Sequence, residues 1–110
     1  MRRQFDLIVI GTGAAASAFA HECASAGWKV AVVDSRPFGG TCALRGCDPK
    51  KVLVGIAKII HWVQTMNGRG VRAESTRIEW SELMRFKRSF TDPIPKNSEQ
   101  ICRSGDCHVS

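Results

Sequence analysis

The feature that most constrains this chain is Gly11-Thr12-Gly13-Ala14-Ala15-Ala16, a G-x-G-x-x-A turn set between two apolar segments. Before it, Phe5-Asp6-Leu7-Ile8-Val9-Ile10 is a short, nearly continuous apolar run, as a buried parallel strand reads. After it, Ala14 to Ala26 is rich in Ala and stops before Gly27, as a helix closed by glycine does. Val30-Ala31-Val32-Val33 then reads as a second buried strand ending at Asp34. Strand, glycine turn, helix and strand make a βαβ unit whose crossover is expected to be right-handed. The expected class is α/β.

The same turn predicts a ligand. Gly11 permits the tight turn, Gly13 lets backbone N–H groups approach a pyrophosphate, and Ala16 is small enough for helix–strand packing. The phosphates would lie at the positive end of the following helix. Asp34, eighteen residues beyond Ala16, is placed to accept hydrogen bonds from an adenosine ribose. The motif does not separate FAD from NAD, and a βα turn that binds nothing is the bland alternative.

Ser35 to Thr41 is read as a loop punctuated by Pro37 and Gly39-Gly40. It leads into Thr41-Cys42-Ala43-Leu44-Arg45-Gly46-Cys47-Asp48-Pro49-Lys50-Lys51, with two cysteines five residues apart. On an ideal helix, Cα atoms at that spacing lie roughly 8–9 Å apart. A disulfide needs less than about 7 Å. Cys42 and Cys47 can therefore join only where the backbone leaves a regular helix, and Gly46 makes that departure easy. A bridge in strained local geometry suits a redox couple, and helix N-terminal amides with Lys50 would favour the thiolate. A reduced core pair and half of a thiolate metal site are the alternatives.

Further along, Lys51 to Met66 is a helix candidate with little polar face, expected to be mostly buried. Ser81 to Phe90 reads as an exposed amphipathic helix with Leu83, Met84, Phe86 and Phe90 on its apolar side, ended by Pro93 and Pro95. After Lys96 no periodicity is visible. Cys102, Cys107 and His108 there suggest zinc, but no convincing fourth ligand accompanies them. His61 is read as packed, His21 as a helix-surface residue and Cys23 as a small core residue.

Composition narrows the classes. The chain has 110 residues, enough for one small domain, and a net charge of +6. Basic residues divide evenly about Gln64, with no block of the kind that marks a nucleic-acid arm. The longest apolar stretch, Leu7 to Ala20, is interrupted by Gly11, Thr12, Gly13 and Ser17 and falls short of a membrane span. Arg2-Arg3, that stretch and Ala18-Phe19-Ala20 imitate a secretory signal, but Asp6 and the glycine pattern argue against it. Five cysteines, an odd number, do not suit a fully paired secreted scaffold. The expectation is a cytoplasmic protein with no nucleic-acid or membrane partner.

Taken together, Gly11-x-Gly13-x-x-Ala16, Asp34 and GGTC-x4-C-x-PKK resemble the flavin-dependent pyridine nucleotide-disulfide oxidoreductases, among them glutathione reductase, dihydrolipoamide dehydrogenase and mercuric reductase. The resemblance runs clearly from Phe5 to about Val63 and more weakly through Thr91-Asp92-Pro93-Ile94-Pro95. It implies a Rossmann-like FAD-binding domain, present in part. It also implies that Ala14 and Ala15 offer amides to the FAD pyrophosphate, that Asp34 holds the ribose, and that Thr41 and Cys42 line the FAD site. Cys47 would be the flavin-proximal, charge-transfer thiolate, Cys42 the interchange thiol, and Lys50 would sit near the flavin N5 edge. Electrons would pass from NAD(P)H through FAD to a Cys42–Cys47 disulfide, then to a small-molecule disulfide, thiol or metal-ion substrate.

Family members run several times longer, with an NAD(P)H domain and a dimerisation domain supplying a His-Glu acid–base pair across a homodimer. The expectation is therefore a partial FAD-binding domain over residues 1–95, inactive alone, and an irregular, atypical tail over 96–110. The first strand is expected to keep one open edge. The alternatives are a stand-alone nucleotide-binding module without turnover, a thiol metal-binding protein, and a remnant without function. Ala43-Leu44-Arg45 and Asp48 depart from the well-known branches, so no substrate is assigned.

Overall fold

The computed structural model describes residues 2–105 and 107–110. In chain order the elements are β1 (Leu7–Ile10), α1 (Ala14–Ser25), β2 (Val30–Val33), α2 (Gly40–Arg45), α3 (Cys47–Met66), α4 (Trp80–Thr91), α5 (Ile94–Ser104) and β3 (His108–Val109). The α/β expectation holds, with a three-stranded, wholly parallel sheet in the order β1-β2-β3. β1 and β2 pair from Leu7 with Val30 to Ile10 with Val33, and Gly11 N–H extends the ladder to the Val33 carbonyl at 2.7 Å. Asp6 is not a flaw in the strand: its carboxylate accepts the Lys29 N–H at 2.8 Å and fixes the entry to β2.

The sheet is packed on one face. Val30, Val32 and Ala20 are buried with Cys107, and Leu7, Val9, Cys23, Phe38 and Cys102 close around them. A strand side chain points to alternate faces, so Ile8, Ile10 and Val33 fall on the other side of the sheet. Ile8 and Ile10 are 60% and 86% exposed. The apolar strands are thus two-faced, with one face served by α1 and the other leaving Ile8 and Ile10 exposed while Ala31 is buried. Among the described residues β1 has a neighbour on one side only, as expected of an incomplete sheet.

Two expectations about the fold fail, and with the second goes the packing of His61, which is exposed. The first is the irregular tail over 96–110, together with its boundary at residue 95, which falls inside α5. α4 does end at Thr91, just ahead of Pro93, but the same prolines also start the next helix, Pro93 as its N-cap and Pro95 in its first turn. Proline is tolerated there because first-turn N–H groups have no intrahelical acceptor. β3 then pairs with β2 through Ala31 with His108 and Val32 with Val109. α5 and β3 thus add a further helix and parallel strand to the sheet.

The second is the burial of α3. Only its Pro49 is buried; Val54, Ile59 and Trp62 are 45%, 57% and 63% exposed. Its partners among the described residues are α2 and α4, which cover one side of a twenty-residue helix. α3 and α4 make a long arm on the sheet-bearing head. The chain measures 70 × 24 × 18 Å with a radius of gyration of 20.4 Å, against about 13 Å for a compact chain of this length. No helix of the described residues is long and apolar enough to cross a membrane.

Candidate functional site

The site is organised by Thr12, a residue the motif leaves free. Thr12 is buried between the two glycines of the turn at the end of β1. Its hydroxyl donates to Asp34 Oδ2 at 2.5 Å and accepts the Gly39 N–H at 3.1 Å. One side chain thereby ties together the glycine turn, the acid at the end of β2 and the loop that leads to the cysteines. Asp34 Oδ1 accepts the Arg36 N–H at 3.0 Å. The Thr12 hydroxyl above all, then the Arg36 amide, hold the Asp34 carboxyl below its usual range, so it is an anion at neutral pH.

Two glycines explain how closely these segments approach. Gly11 has φ +107°, a conformation that side-chain-bearing residues rarely adopt. Gly40 has φ +75°, and a Cβ there would strike the Cα and N of Gly13. The Gly39-Gly40 pair is therefore packed against the glycine turn itself, which brings the start of α2 against the start of α1. Gly13 differs from both. Its φ is −69°, and a Cβ built on it meets nothing within 4 Å.

The open space beside Gly13 adjoins the N-terminus of α1, where no side chain caps the first turn and no acid occupies it. The first amides of a helix have no intrahelical acceptor and carry partial positive charge. Ala14 and Ala15 lie in that turn, and Ala16 is half-buried toward the sheet. An uncapped helix start with room above it and an ionised carboxylate at the neighbouring strand end suit the diphosphate and ribose of a dinucleotide. In this respect the residues fit FAD.

The thiols lie at the junction of α2 and α3. α2 ends at Arg45, Gly46 leaves helical geometry with φ −119° and ψ −113°, and α3 begins at Cys47. This is the break that the spacing of the cysteines demands. A Cβ on Gly46 would come within 3.0 Å of the Thr41 carbonyl oxygen and 3.2 Å of the Cys42 Cα, so only glycine leaves the two segments this close. Thr41, Cys42 and Cys47 are exposed, and Lys50 is exposed in the first turn of α3. Neither cysteine is bridged in the structure. The helix amides and Lys50 are expected to favour a thiolate, and at Cys42 a neighbouring thiol works against that. The Cys47 thiol beside it pushes the Cys42 thiol up, because ionising one of two adjacent thiols meets its neighbour's sulfur.

The structure thus joins Gly11, Gly13, Asp34 and the Gly39-Gly40 loop directly, and brings Cys42 to Cys47. Two contributions were missed in the sequence: the bridging hydroxyl of Thr12 and the steric role of Gly40. The available signals were a hydroxyl residue between the turn glycines and a glycine pair before the first cysteine. The tail residues do not gather as ligands. His108 stacks on Phe5, with ring centroids 5.5 Å apart, and receives Arg3 Nη1 at 2.6 Å from its Nε2. Among the described residues no three His, Cys, Asp or Glu side chains come close enough to hold a metal ion.

Comparison with known proteins gives these features a context. The family profile described as pyridine nucleotide-disulphide oxidoreductase matches residues 5–103. Dihydrolipoyl dehydrogenase of Chlamydia trachomatis is 32% identical over 109 residues, covering 99% of this chain and 23% of that protein. Glutathione reductase of Burkholderia cepacia is 37% identical over 83 residues, covering 76% of this chain and 18% of that protein. Glutathione reductase of a Nostoc species is 33% identical over 110 residues, covering 100% of this chain and 22% of that protein. The similarity includes the segment after Lys96, in keeping with the helix and strand found there. The chain spans less than a quarter of the length of these relatives.

Proposed function

The chain belongs to the pyridine nucleotide-disulphide oxidoreductase family, whose members are FAD-dependent flavoproteins, and from that premise we propose that it is the FAD-holding, dithiol-bearing part of an NAD(P)H-dependent disulfide oxidoreductase. The observation that carries this reading is the Thr12 hydroxyl, bonded at once to Asp34 and Gly39, which couples the nucleotide end of the site to the thiol segment.

In this reading the amides of Ala14 and Ala15 hold the FAD pyrophosphate, with Gly11, Gly13 and Ala16 shaping the turn. Asp34, kept ionised and oriented by Thr12, accepts the adenosine ribose hydroxyls. Thr41 and Cys42 line the flavin side, and Lys50 supplies a positive charge there. When bound, FAD supplies the two electrons that return the Cys42–Cys47 disulfide to the dithiol, drawing them from NAD(P)H.

The protein's own chemistry is thiol exchange. The Cys42 thiolate attacks one sulfur of a substrate disulfide, and the first thiol leaves with a proton. Cys47 then attacks the Cys42 sulfur, closing the Cys42–Cys47 bridge and releasing the second thiol. The raised Cys42 thiol needs a base to lose its proton. The nicotinamide site, the acid–base pair and the dimer interface belong to other parts of such an enzyme, so turnover by these 110 residues alone is not expected. The cytoplasm, where thiols stay reduced, is the compartment that suits the couple.

Gly13→Val tests the nucleotide site. The added side chain enters open space in the protein and only a bound pyrophosphate would meet it. Calorimetric titration with FAD should show binding by the wild-type chain and a loss of about tenfold or more in the variant, about 1.4 kcal/mol or above, with an unchanged circular dichroism spectrum. Equal affinity in both would place the ligand elsewhere.

A further inference from the structure

The sequence carries the spacing C-x4-C a second time, at Cys102 and Cys107, and this pair has no part in the function proposed above. The backbone brings it together. α5 stops at Ser104, Gly105 N–H turns back to the Ile101 and Cys102 carbonyls, and Cys107 N–H donates to the Cys102 carbonyl at 3.1 Å. A backbone bond between two residues draws their Cα atoms together, as the bonds that close a helix end do. A disulfide needs about 4.4–6.8 Å. A straight helix would hold the same spacing too far apart, so the turn after α5 creates a proximity that the count of residues does not.

The two thiols are unequal. Cys107 is buried, 7% exposed, and its sulfur has only distant contacts with the carbonyls of Ala20, at 4.0 Å, and Gly105, at 3.8 Å. Cys102 is half-buried and reachable from solvent. Both line a cavity of about 140 Å³ between α1, β2 and α5, with His21 and Phe38.

We propose that Cys102 and Cys107 form a second dithiol, which closes to a disulfide clasping the end of α5 to the start of β3. The oxidant is a low-molecular-weight disulfide. Cys102, the accessible sulfur, attacks it and expels one thiol, which takes up the proton Cys102 has lost. Cys107 then attacks the Cys102 sulfur of the mixed disulfide and expels the second thiol with its own proton. Two electrons pass from the protein dithiol to the added disulfide, and one S–S bond forms for the one broken. Burial first, and then the adjoining Cys107 thiol, push the Cys102 thiol up to about 12, with Arg103 acting weakly the other way. The reduced pair therefore exchanges slowly near neutrality. The consequence of closure is local. β3 is two residues long and Ser110 N–H bonds to the Val32 carbonyl at 3.1 Å, so a covalent tie at Cys107 anchors the outer edge of the sheet.

The test incubates the 110-residue chain with bis(2-hydroxyethyl) disulfide, traps remaining thiols by alkylation in acid and analyses tryptic peptides by mass spectrometry. Trypsin cuts after Lys96 and Arg103, so the expected bridge appears as peptide 97–103 linked to peptide 104–110. This linkage should dominate every other pairing of Cys102 or Cys107, in the wild-type chain and in Cys42→Ser/Cys47→Ser alike, with Cys23 left alkylated. Hydrogen exchange at the Ser110 amide should slow several-fold in the oxidised chain. Persistent mixed disulfides on Cys102, bridges from Cys107 to Cys23, or a Ser110 exchange rate indifferent to oxidation would each overturn the proposal.

Discussion

Cys42–Cys47 and Cys102–Cys107 have the same spacing and lie at opposite ends of helices. The first pair straddles the entry to α3, with both sulfurs exposed, and its break at Gly46 is enforced by backbone atoms of Thr41 and Cys42. The second straddles the exit from α5, with one sulfur in the core beside Val30 and Val32. Spacing alone therefore does not assign chemistry. A helix start leaves the first pair open to solvent, whereas a helix end packed on a sheet restricts the second to partners within the fold.

The largest expected difference is between Cys42→Ser and Cys102→Ser. The first should abolish closure of the exposed pair, leaving Cys47 without its partner. The second should leave closure of Cys42 with Cys47 unchanged. Counting alkylated cysteines across a thiol–disulfide redox buffer checks both, and equal effects of the two variants would erase the contrast.

Next comes the packing that holds the exposed pair against the glycine turn. Gly40→Ala combines a positive φ with a Cβ aimed at Gly13, and a loss of about 3 kcal/mol is expected in denaturant unfolding. The glycines within the two C-x4-C segments should separate as well. Gly46→Ala presses on backbone and should cost about 1–3 kcal/mol. Gly105→Ala meets the end of the His21 side chain at 3.3 Å, which can swing aside, and should cost less than about 1 kcal/mol. Similar values for the two would mean that the first junction is not sterically fixed.

Thr12→Val should cost about 1.5–3 kcal/mol, through loss of a hydroxyl bonded to a carboxylate. Its signature is in pH. Asp34 has a lowered pKa when folded, so its stabilising contribution is fully present above the ordinary carboxylate value and fades as pH falls through the lowered one. Without the Thr12 hydroxyl the Asp34 pKa should return toward the ordinary value, and the stability difference between wild type and variant should shrink in acid. Carbon-13 NMR of the Asp34 carboxyl reads that shift directly.

The elements that were legible in the sequence have local causes. β2 runs over Val30–Val33 as expected, and α1 ends where Gly27 N–H turns back to the Ala24 carbonyl. The glycine turn and the need for a break between Cys42 and Cys47 were readable because each is a constraint on a few adjacent residues. α5 was not, since its prolines read as stops when taken alone and as a start only in the helix they cap. β3 has two residues, and its strand character comes from pairing with β2 rather than from His108 or Val109. The exposure of α3 was also hidden. An apolar helix predicts that something covers it, and sequence pattern does not say whether the covering surface lies within these residues. The Thr12 bridge depends on residues 12, 34 and 39 meeting, which only the fold decides.

The account rests on the glycine turn, Thr12 and Asp34 forming the nucleotide end of an FAD site in this chain. The most direct measurement is the visible absorption spectrum of the protein after incubation with FAD and removal of free ligand by gel filtration. A flavin band retained in stoichiometric amount is the result predicted. A folded, soluble protein that elutes without flavin would contradict it.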